Sequence, residues 1–238
     1  MEYKYTGIIL GKYDVGETDR IYVIYTLEQG KIRTLAKGVR KMHAKLAGQL
    51  ENFNLVDVLI ARNKGMGKIK SAIVENNFSV IKKDLDLLEK AFQMFEIFNR
   101  LTEDEQKDEQ AFSLLLRYLI LLEKKSEDRD QFFCRMISQG FLFQLFNLLG
   151  YQIEVVSCAF CGKRITAGGN FFSAQNGGVF CHDCQEGIME KFHISDSAIK
   201  ALRIFSSNNL DSLVKLKMKK EEIAELEMIS SRFYQWIS

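Results

Sequence analysis

The chain has 238 residues, 47% of them hydrophobic and 27% charged, with a formal net charge of +2. That length supports one large domain or two small ones with real cores and no need of disulfides, and the composition excludes disorder as the main state. No apolar run approaches the roughly 18 residues of a membrane span, and Met1-Glu2-Tyr3-Lys4-Tyr5 lacks the basic-then-apolar order of a secretory signal, so a cytoplasmic location with reduced thiols is expected.

Up to about residue 78, short runs rich in Val, Ile, Tyr and Thr predict five strands, at roughly 4–13, 20–27, 31–37, 52–61 and 67–77. Gly16, Gly30, Gly38 and Gly65-Met66-Gly67 punctuate them; proline, absent from the chain, marks no boundary. Five short strands suit a small closed barrel of the OB type, which leaves no exposed sheet edge, with an SH3-like barrel as the competing fold. From about residue 82 the period turns helical, with Leu85, Leu88, Phe92 and Phe95 at spacings of 3 and 4. Further helices are predicted at 106–125, around Leu115, Leu119 and Leu122, and at 130–149. The latter is apolar on most sides through Phe141, Leu142, Phe143, Leu145, Phe146, Leu148 and Leu149, which places it in the core, and Gly150 ends it. Two more helices close the chain: one follows Ser195 as N-cap and uses Ile199, Leu202 and Phe205; the other spans 219–237 and uses Ile223, Leu226, Phe233 and Ile237. The expected class is α+β multidomain: a barrel over residues 1–80, then a helical domain over 81–238 with a zinc-finger insertion at about 155–188.

The strongest local signal is Cys158-Ala159-Phe160-Cys161 followed, after 19 residues, by Cys181-His182-Asp183-Cys184. Each CxxC turn brings two sulfurs to one side of a tight loop, and two such turns supply the tetrahedron of a structural zinc site. A redox dithiol is the lesser alternative. Catalytic zinc would keep a position open for water, whereas four cysteines fill the shell. The intervening Gly168-Gly169 and Gly177-Gly178, around Phe171, Phe172 and Val179, predict a β-hairpin holding the knuckles together. His182 is a poor fourth donor beside Cys184, and Cys134, between Phe133 and Arg135, fits helix packing.

Charge is unevenly distributed. Residues 1–80 carry net +5, residues 81–157 net −4 and residues 158–238 net +1. The excess lies between Lys31 and Lys70, where Lys31, Arg33, Lys37, Arg40, Lys41, Lys45, Arg62, Lys64, Lys68 and Lys70 are opposed by Glu51 and Asp57 alone. Period-2 alternation puts Lys31, Arg33 and Lys37 on one face of the third strand and Ile32, Thr34 and Ala36 on the other. A lone lysine merely keeps a barrel in solution, but ten bases against two acids point to a polyanion. OB-type barrels bind single strands between the loops joining strands 1–2 and 4–5, and here the second of these is the basic Arg62-Asn63-Lys64-Gly65-Met66-Gly67-Lys68. Tyr13, Tyr22 and Phe53 are the aromatics available for stacking, though residues of this kind more often belong to a core. DNA contacts are therefore expected from Lys31, Arg33, Lys37, Arg40, Lys41, Lys45, Lys64, Lys68 and Lys70.

The chain resembles the bacterial RecO family of recombination mediators over its whole length. The resemblance rests on Gly16-Glu17-Thr18-Asp19-Arg20-Ile21, the turn through Gly30, Ala36-Lys37-Gly38-Val39-Arg40-Lys41, Ala47-Gly48-Gln49-Leu50-Glu51-Asn52-Phe53, and Gly177-Gly178-Val179-Phe180-Cys181. It departs at Asn52, where the family often has proline. The resemblance implies an OB domain joined to a helical domain with an embedded zinc finger, and a non-enzymatic function in DNA repair. It further implies binding of single- and double-stranded DNA, annealing of complementary strands, and work with RecR to load RecA onto DNA coated by single-strand-binding protein. It also implies a nucleoid-associated location and docking of that protein's acidic tail on the helical body, for which Arg117, Lys124, Lys125, Arg129 and Arg135 are the candidate cations.

No GxxxxGK[ST], HExxH or GxSxG motif is present among the residues, which agrees with a non-catalytic reading. The rivals are a nuclease-like enzyme of nucleic-acid metabolism and a protein-interaction adaptor. For the former, Asp84 with Asp86, or Asp128 with Asp130, are the candidate carboxylate pairs, although both lie at helix starts, where acids complement the dipole.

Overall fold

Alternation of apolar and polar residues yields β1 (Glu2–Val15), β2 (Asp19–Thr26), β3 (Gly30–Ala36), β4 (Leu55–Ala61) and β5 (Lys68–Asn76). The computed structural model describes residues 1–125, 131–207, 209–213 and 215–238. They fall into two compact units, Met1–Ser126 and Glu127–Ser238.

In the first unit the strands close in the order β1-β2-β3-β5-β4, with β4 returning to β1. Neighbours are antiparallel except β3 and β5, which run parallel with Leu35 opposite Lys68. This five-stranded Greek-key closure is the OB-type alternative rather than the SH3-like one. The long β1 pairs with both β2 and β4, and it bends at an irregularity between Ile9 and Gly11. Inward residues, among them Tyr22, Ile24, Ile32, Val58 and Ile60, fill the barrel, and the short helix α1 (Leu46–Gln49) packs Leu46 and Ala47 against that core.

The segment Asn52–Asn54, expected to open the fourth strand, is instead a turn. Phe53 adopts φ 71°, and the Asn54 side chain donates to the carbonyls of Gly48 and Gln49. Phe53 N–H donates to Ile9 O while Ile9 N–H donates to Asn54 O, so backbone pairing with β1 is kept through the turn.

Three helices complete this unit: α2 (Ser79–Lys83), α3 (Leu85–Leu101) and α4 (Glu109–Lys125). Asp84 caps α3 by accepting from the N–H groups of Asp86 and Leu87, and Asp108 does the same for Gln110 and Ala111. Of the apolar series read from the sequence, Phe95 is buried, whereas Leu85 is 78% and Phe92 44% exposed. The buried face is Leu87, Ala91, Met94, Phe95 and Phe98. Spacings of 3 and 4 fit two adjacent stripes of one helix, and the tertiary partner selects between them. That partner is the barrel's outer face, where Phe98 meets Tyr25 edge-on at 4.7 Å and Phe95 meets Phe53 at 4.8 Å. Ile8, Leu10, Val23 and Tyr25 are accordingly buried outside the barrel.

The second unit is organised around α5 (Gln131–Leu148). It packs against α6 (Asp196–Ser207), α7 (Leu210–Leu213) and α8 (Lys220–Ile237). Phe146 meets Phe233 at 5.3 Å and Phe143 meets Phe205 at 6.0 Å. Gly140 admits α7, since a Cβ there would collide with Leu213. Gly150, with φ 87°, terminates α5 as expected. Ser195 caps α6 by accepting from Ala198 N–H. Strands β6 (Phe171–Ser173), β7 (Gly178–Phe180) and β8 (Phe192–His193) form a small sheet in the order β7-β6-β8.

Candidate metal centre and nucleic-acid interface

The β6–β7 hairpin does the local work the glycine pattern suggested. Phe172 pairs with Val179, and Ala159 N–H donates to Val179 O, which ties the first CxxC turn to the strand entering the second. Gly178 is required here because a Cβ would meet the Glu154 backbone. The Sγ atoms of Cys158, Cys161, Cys181 and Cys184 lie within 4.8 Å of one another, with Cys161 and Cys181 at 3.9 Å. A zinc bound to four thiolates at about 2.3 Å sets the sulfurs about 3.8 Å apart, so this donor set fits a closed tetrahedral site.

The surrounding amides favour thiolate. Although burial pushes the Cys158 thiol up, backbone N–H groups of Cys161, Cys181 and Phe160 bring it down to about 6. Crowding acts oppositely on the second turn: burial raises Cys181, and the hydrogen bond with Cys181 pushes Cys184 up to about 12. A divalent cation relieves that crowding by replacing shared protons. His182 is exposed and stands outside the sulfur cluster, while Cys134 is buried in α5.

On the barrel, register defines the outward row. Tyr13 of β1 lies opposite Ile21, Ile21 opposite Leu35, and Leu35 opposite Lys68. Their sequence neighbours Tyr22, Ala36 and Ile69 point into the core, so this row faces out. Tyr13 is 43% exposed, unlike Tyr22 and Phe53, which are core residues and not available for stacking. Because Leu35, near the end of β3, pairs with Lys68, the first residue of β5, Lys37 leaves β3 close to where Lys68 and Lys70 begin β5.

The loop after β3 is tied to the β1–β2 turn. Asp19 accepts from Gly38 N–H at 2.8 Å, which holds its carboxyl below the usual range, and Arg40 N–H donates to Thr18 O. The Arg40 guanidinium reaches Gly16 O and Asp14. Lys37, Lys41, Lys45, Lys64, Lys68 and Lys70 are exposed and without an ion pair among the described residues.

Lys31 is not on this open face. Its ammonium is buried at the end of α3, donating to Asn99 O at 2.6 Å and Thr102 O at 2.5 Å, with Asp104 at 3.4 Å. Burial lowers its pKa despite the carboxylate. Alternation correctly assigned the side of the strand, but a helix and its trailing loop cover that side. Arg33 pairs with Asp104 at 2.8 Å and its Nη1 lies 3.5 Å from the Tyr13 hydroxyl. Arg62, not singled out among the DNA contacts, pairs with Glu105 at 2.5 Å. The compensating run Glu103-Asp104-Glu105 was visible in the sequence, but nothing local linked it to β3.

Of the helical-body cations, Arg135 is held by Glu227 through two bonds of 2.9 and 2.7 Å, and Lys124 is exposed. Arg129 and the Lys125 side chain lie outside the described residues, as do Asp128 and Asp130. Asp84 of the other carboxylate pair serves as a helix cap. Among the described residues no helix is long and apolar enough to cross a membrane.

Two family models match the chain: Recombination protein O N terminal over residues 1–78 and Recombination protein O C terminal over residues 83–237. Similar proteins include the DNA repair protein RecO of Dehalococcoides mccartyi, 32% identical over 95% of this chain and 87% of its own. RecO of Roseiflexus sp. is 29% identical, covering 99% and 81% respectively, and RecO of Listeria monocytogenes is 28% identical over 97% and 88%.

Proposed function

Because the chain belongs to the RecO family of DNA repair proteins, we propose that it is a non-catalytic recombination mediator whose barrel binds DNA mainly through phosphates. The observation that carries this reading is the set of six exposed lysines that form no ion pair among the described residues, on the loop after β3, in the β4–β5 loop and along the start of β5 beside the outward row from Tyr13 to Lys68. Arg40 and Arg33 border that set, and Lys31 supports it from beneath rather than touching DNA.

Phosphate contacts of this kind carry little sequence information, so binding to different strands should be similar. Charge shielding without base reading also suits annealing of complementary strands. In the family's manner, the chain works with RecR to load RecA onto single strands coated by single-strand-binding protein, whose acidic tail docks on the helical body. Zn2+ held by Cys158, Cys161, Cys181 and Cys184 is structural, and the protein acts on the nucleoid in the cytoplasm.

The test is a titration of single-stranded DNA at several salt concentrations. Five phosphate contacts give a slope of log affinity against log salt of roughly −3.5, about −0.7 for each. Replacing Lys37, Arg40 and Lys41 together by Ala should weaken binding uniformly across sequences and leave zinc content unchanged. The same replacement at the exposed Lys215, Lys217 and Lys219 removes equal charge as a control. Equal weakening by both triples, or by neither, overturns the assignment to the barrel.

A further inference from the structure

The connection between α3 and α4 lies as a strap across the barrel, and its backbone is held by hydrogen bonds that do not use its carboxylates, although the Asp104 carboxylate also stands 3.4 Å from the Lys31 ammonium. Glu105 N–H donates to Lys31 O at 2.7 Å, and the buried Lys31 ammonium holds the carbonyls of Asn99 and Thr102. Beyond them, Gly30 takes φ 69° and passes so close beneath the Gln106 carbonyl that any Cβ would collide with it. Asp104 and Glu105 are about half exposed, with side chains 46% and 49% accessible, and each reaches one arginine of the barrel.

We infer that the carboxylates of Asp104 and Glu105 occupy two phosphate subsites of the barrel, formed by Arg33 beside Tyr13 and by Arg62, and that single-stranded DNA displaces them. This rests on the reading of the barrel as a DNA-binding face. A guanidinium fork accepts a carboxylate and a phosphate with the same geometry, so a carboxylate seated on an exposed arginine marks where a phosphodiester oxygen fits. Arg33 adjoins the row from Tyr13 to Lys68, and Arg62 opens the basic loop leading to Lys68. The two arginines pair with consecutive residues of one strap, Asp104 and Glu105. Tyr13 next to Arg33 offers an open ring face for a base attached to the first phosphate.

Exchange is favourable because exposed ion pairs hold weakly, whereas each phosphate neutralised releases condensed counterions. It is also local. The carboxylates turn away into water while Lys31 and the Gly30 contact keep the strap in place. Glu105 further stands at φ 59°, a left-handed conformation that a non-glycine residue keeps at a cost, and such strain persists where a side chain must be aimed. Here it aims a carboxylate at Arg62.

The experiment measures binding of fluorescent oligothymidine to the full chain across a series of potassium chloride concentrations. Asp104→Asn with Glu105→Gln should tighten binding about fivefold for each pair removed, the upper range for an exposed ion pair. The salt slope should stay close to that of wild type, because the same phosphates are neutralised in both chains. In a background carrying Arg33→Ala and Arg62→Ala the gain should vanish, whereas a general effect of added positive charge would persist there and overturn the inference. Unchanged affinity in the Asn/Gln variant, with the Lys37, Arg40 and Lys41 triple still weakening binding, refutes the two subsites alone. Failure of the wild-type chain and the triple to differ refutes the underlying DNA reading as well. Each single substitution, with a thermal melt like that of wild type, separates the effect from a loss of folding.

Discussion

Replacing Lys31 by Met keeps an unbranched apolar stem while removing the ammonium that joins β3 to the end of α3. The Lys31 side chain is 6% exposed, and its bonds to Asn99 O and Thr102 O measure 2.6 and 2.5 Å. Hydrogen bonds to a charged group contribute about 1.5–3 kcal/mol each, and the cost of burying that charge offsets part of the pair. A net loss of about 3 kcal/mol results, equivalent to about 9 °C in melting temperature for a chain of this size. Differential scanning calorimetry at neutral pH measures it directly, and the salt-dependent DNA titration gives the second readout. DNA affinity should not fall with the melting temperature, because the ammonium faces protein rather than solvent. A variant that melts like wild type but binds DNA as weakly as a loss of Lys37 would refute the reasoning, since Lys31 would then act as an exposed phosphate contact.

Three further outcomes are expected. The purified chain should carry one zinc by elemental analysis, and Cys181→Ser should lose it and lower the stability of the β6–β7 hairpin; retention of zinc with an unchanged melt contradicts the four-thiolate site. Gly140→Ala gains about 1 kcal/mol of helix propensity but overpacks against Leu213 by about 1–3 kcal/mol, so urea denaturation should show a net loss in the wild-type background that disappears when the same change is made in a Leu213→Ala background. Asp57 accepts from Lys4 and Thr6 and is held below the usual carboxylate range. Because the folded-state value is the lower one, its contribution is full above about pH 4 and is lost as pH falls through the folded value. Asp57→Asn should therefore flatten the acid limb of stability measured by circular dichroism, and an unaltered limb would contradict it.

The elements that could be read from the sequence are those whose signal is local. Two CxxC turns at a fixed spacing, Ser195 before a 3.6 period, Gly150 after one, and period-2 runs between glycines each state their own geometry. What escaped depends on partners far along the chain. Alternation places Lys31 on the outer side of β3, yet only the arrival of α3 and Thr102 some 70 residues later decides that this side is covered. The same helix could have presented Leu85, Leu88 and Phe92 inward. It buries Leu87, Ala91 and Met94 instead, with Phe98 set against Tyr25, while Phe53, in its left-handed turn, receives both Phe95 and the half-exposed Phe92 edge-on at 4.8 Å. Asp104 and Glu105 read as an ordinary acidic loop until β3 and the β4–β5 loop are seen beneath them. Tyr22 and Phe53 suit a core better than a surface by their chemistry alone, and closure of the barrel and docking of α3 put them there.

The parallel closure of the barrel has a consequence for its dynamics. β1, β2 and β3 are joined by short turns and share extensive antiparallel ladders, as do β4 and β5. The two sets meet at two boundaries: β1 and β4 share a long antiparallel ladder, whereas β3 and β5 share a single register pair, Leu35 with Lys68, sealed by Leu35 N–H donating to Gly67 O at 3.2 Å. Sub-global opening follows the thinnest hydrogen-bonded boundary, so the barrel should breathe along β3 and β5 before either ladder frays. In native-state hydrogen exchange the Leu35 amide should lose its protium faster than the ladder amides of Val23 or Val58, although all three residues belong to one small barrel.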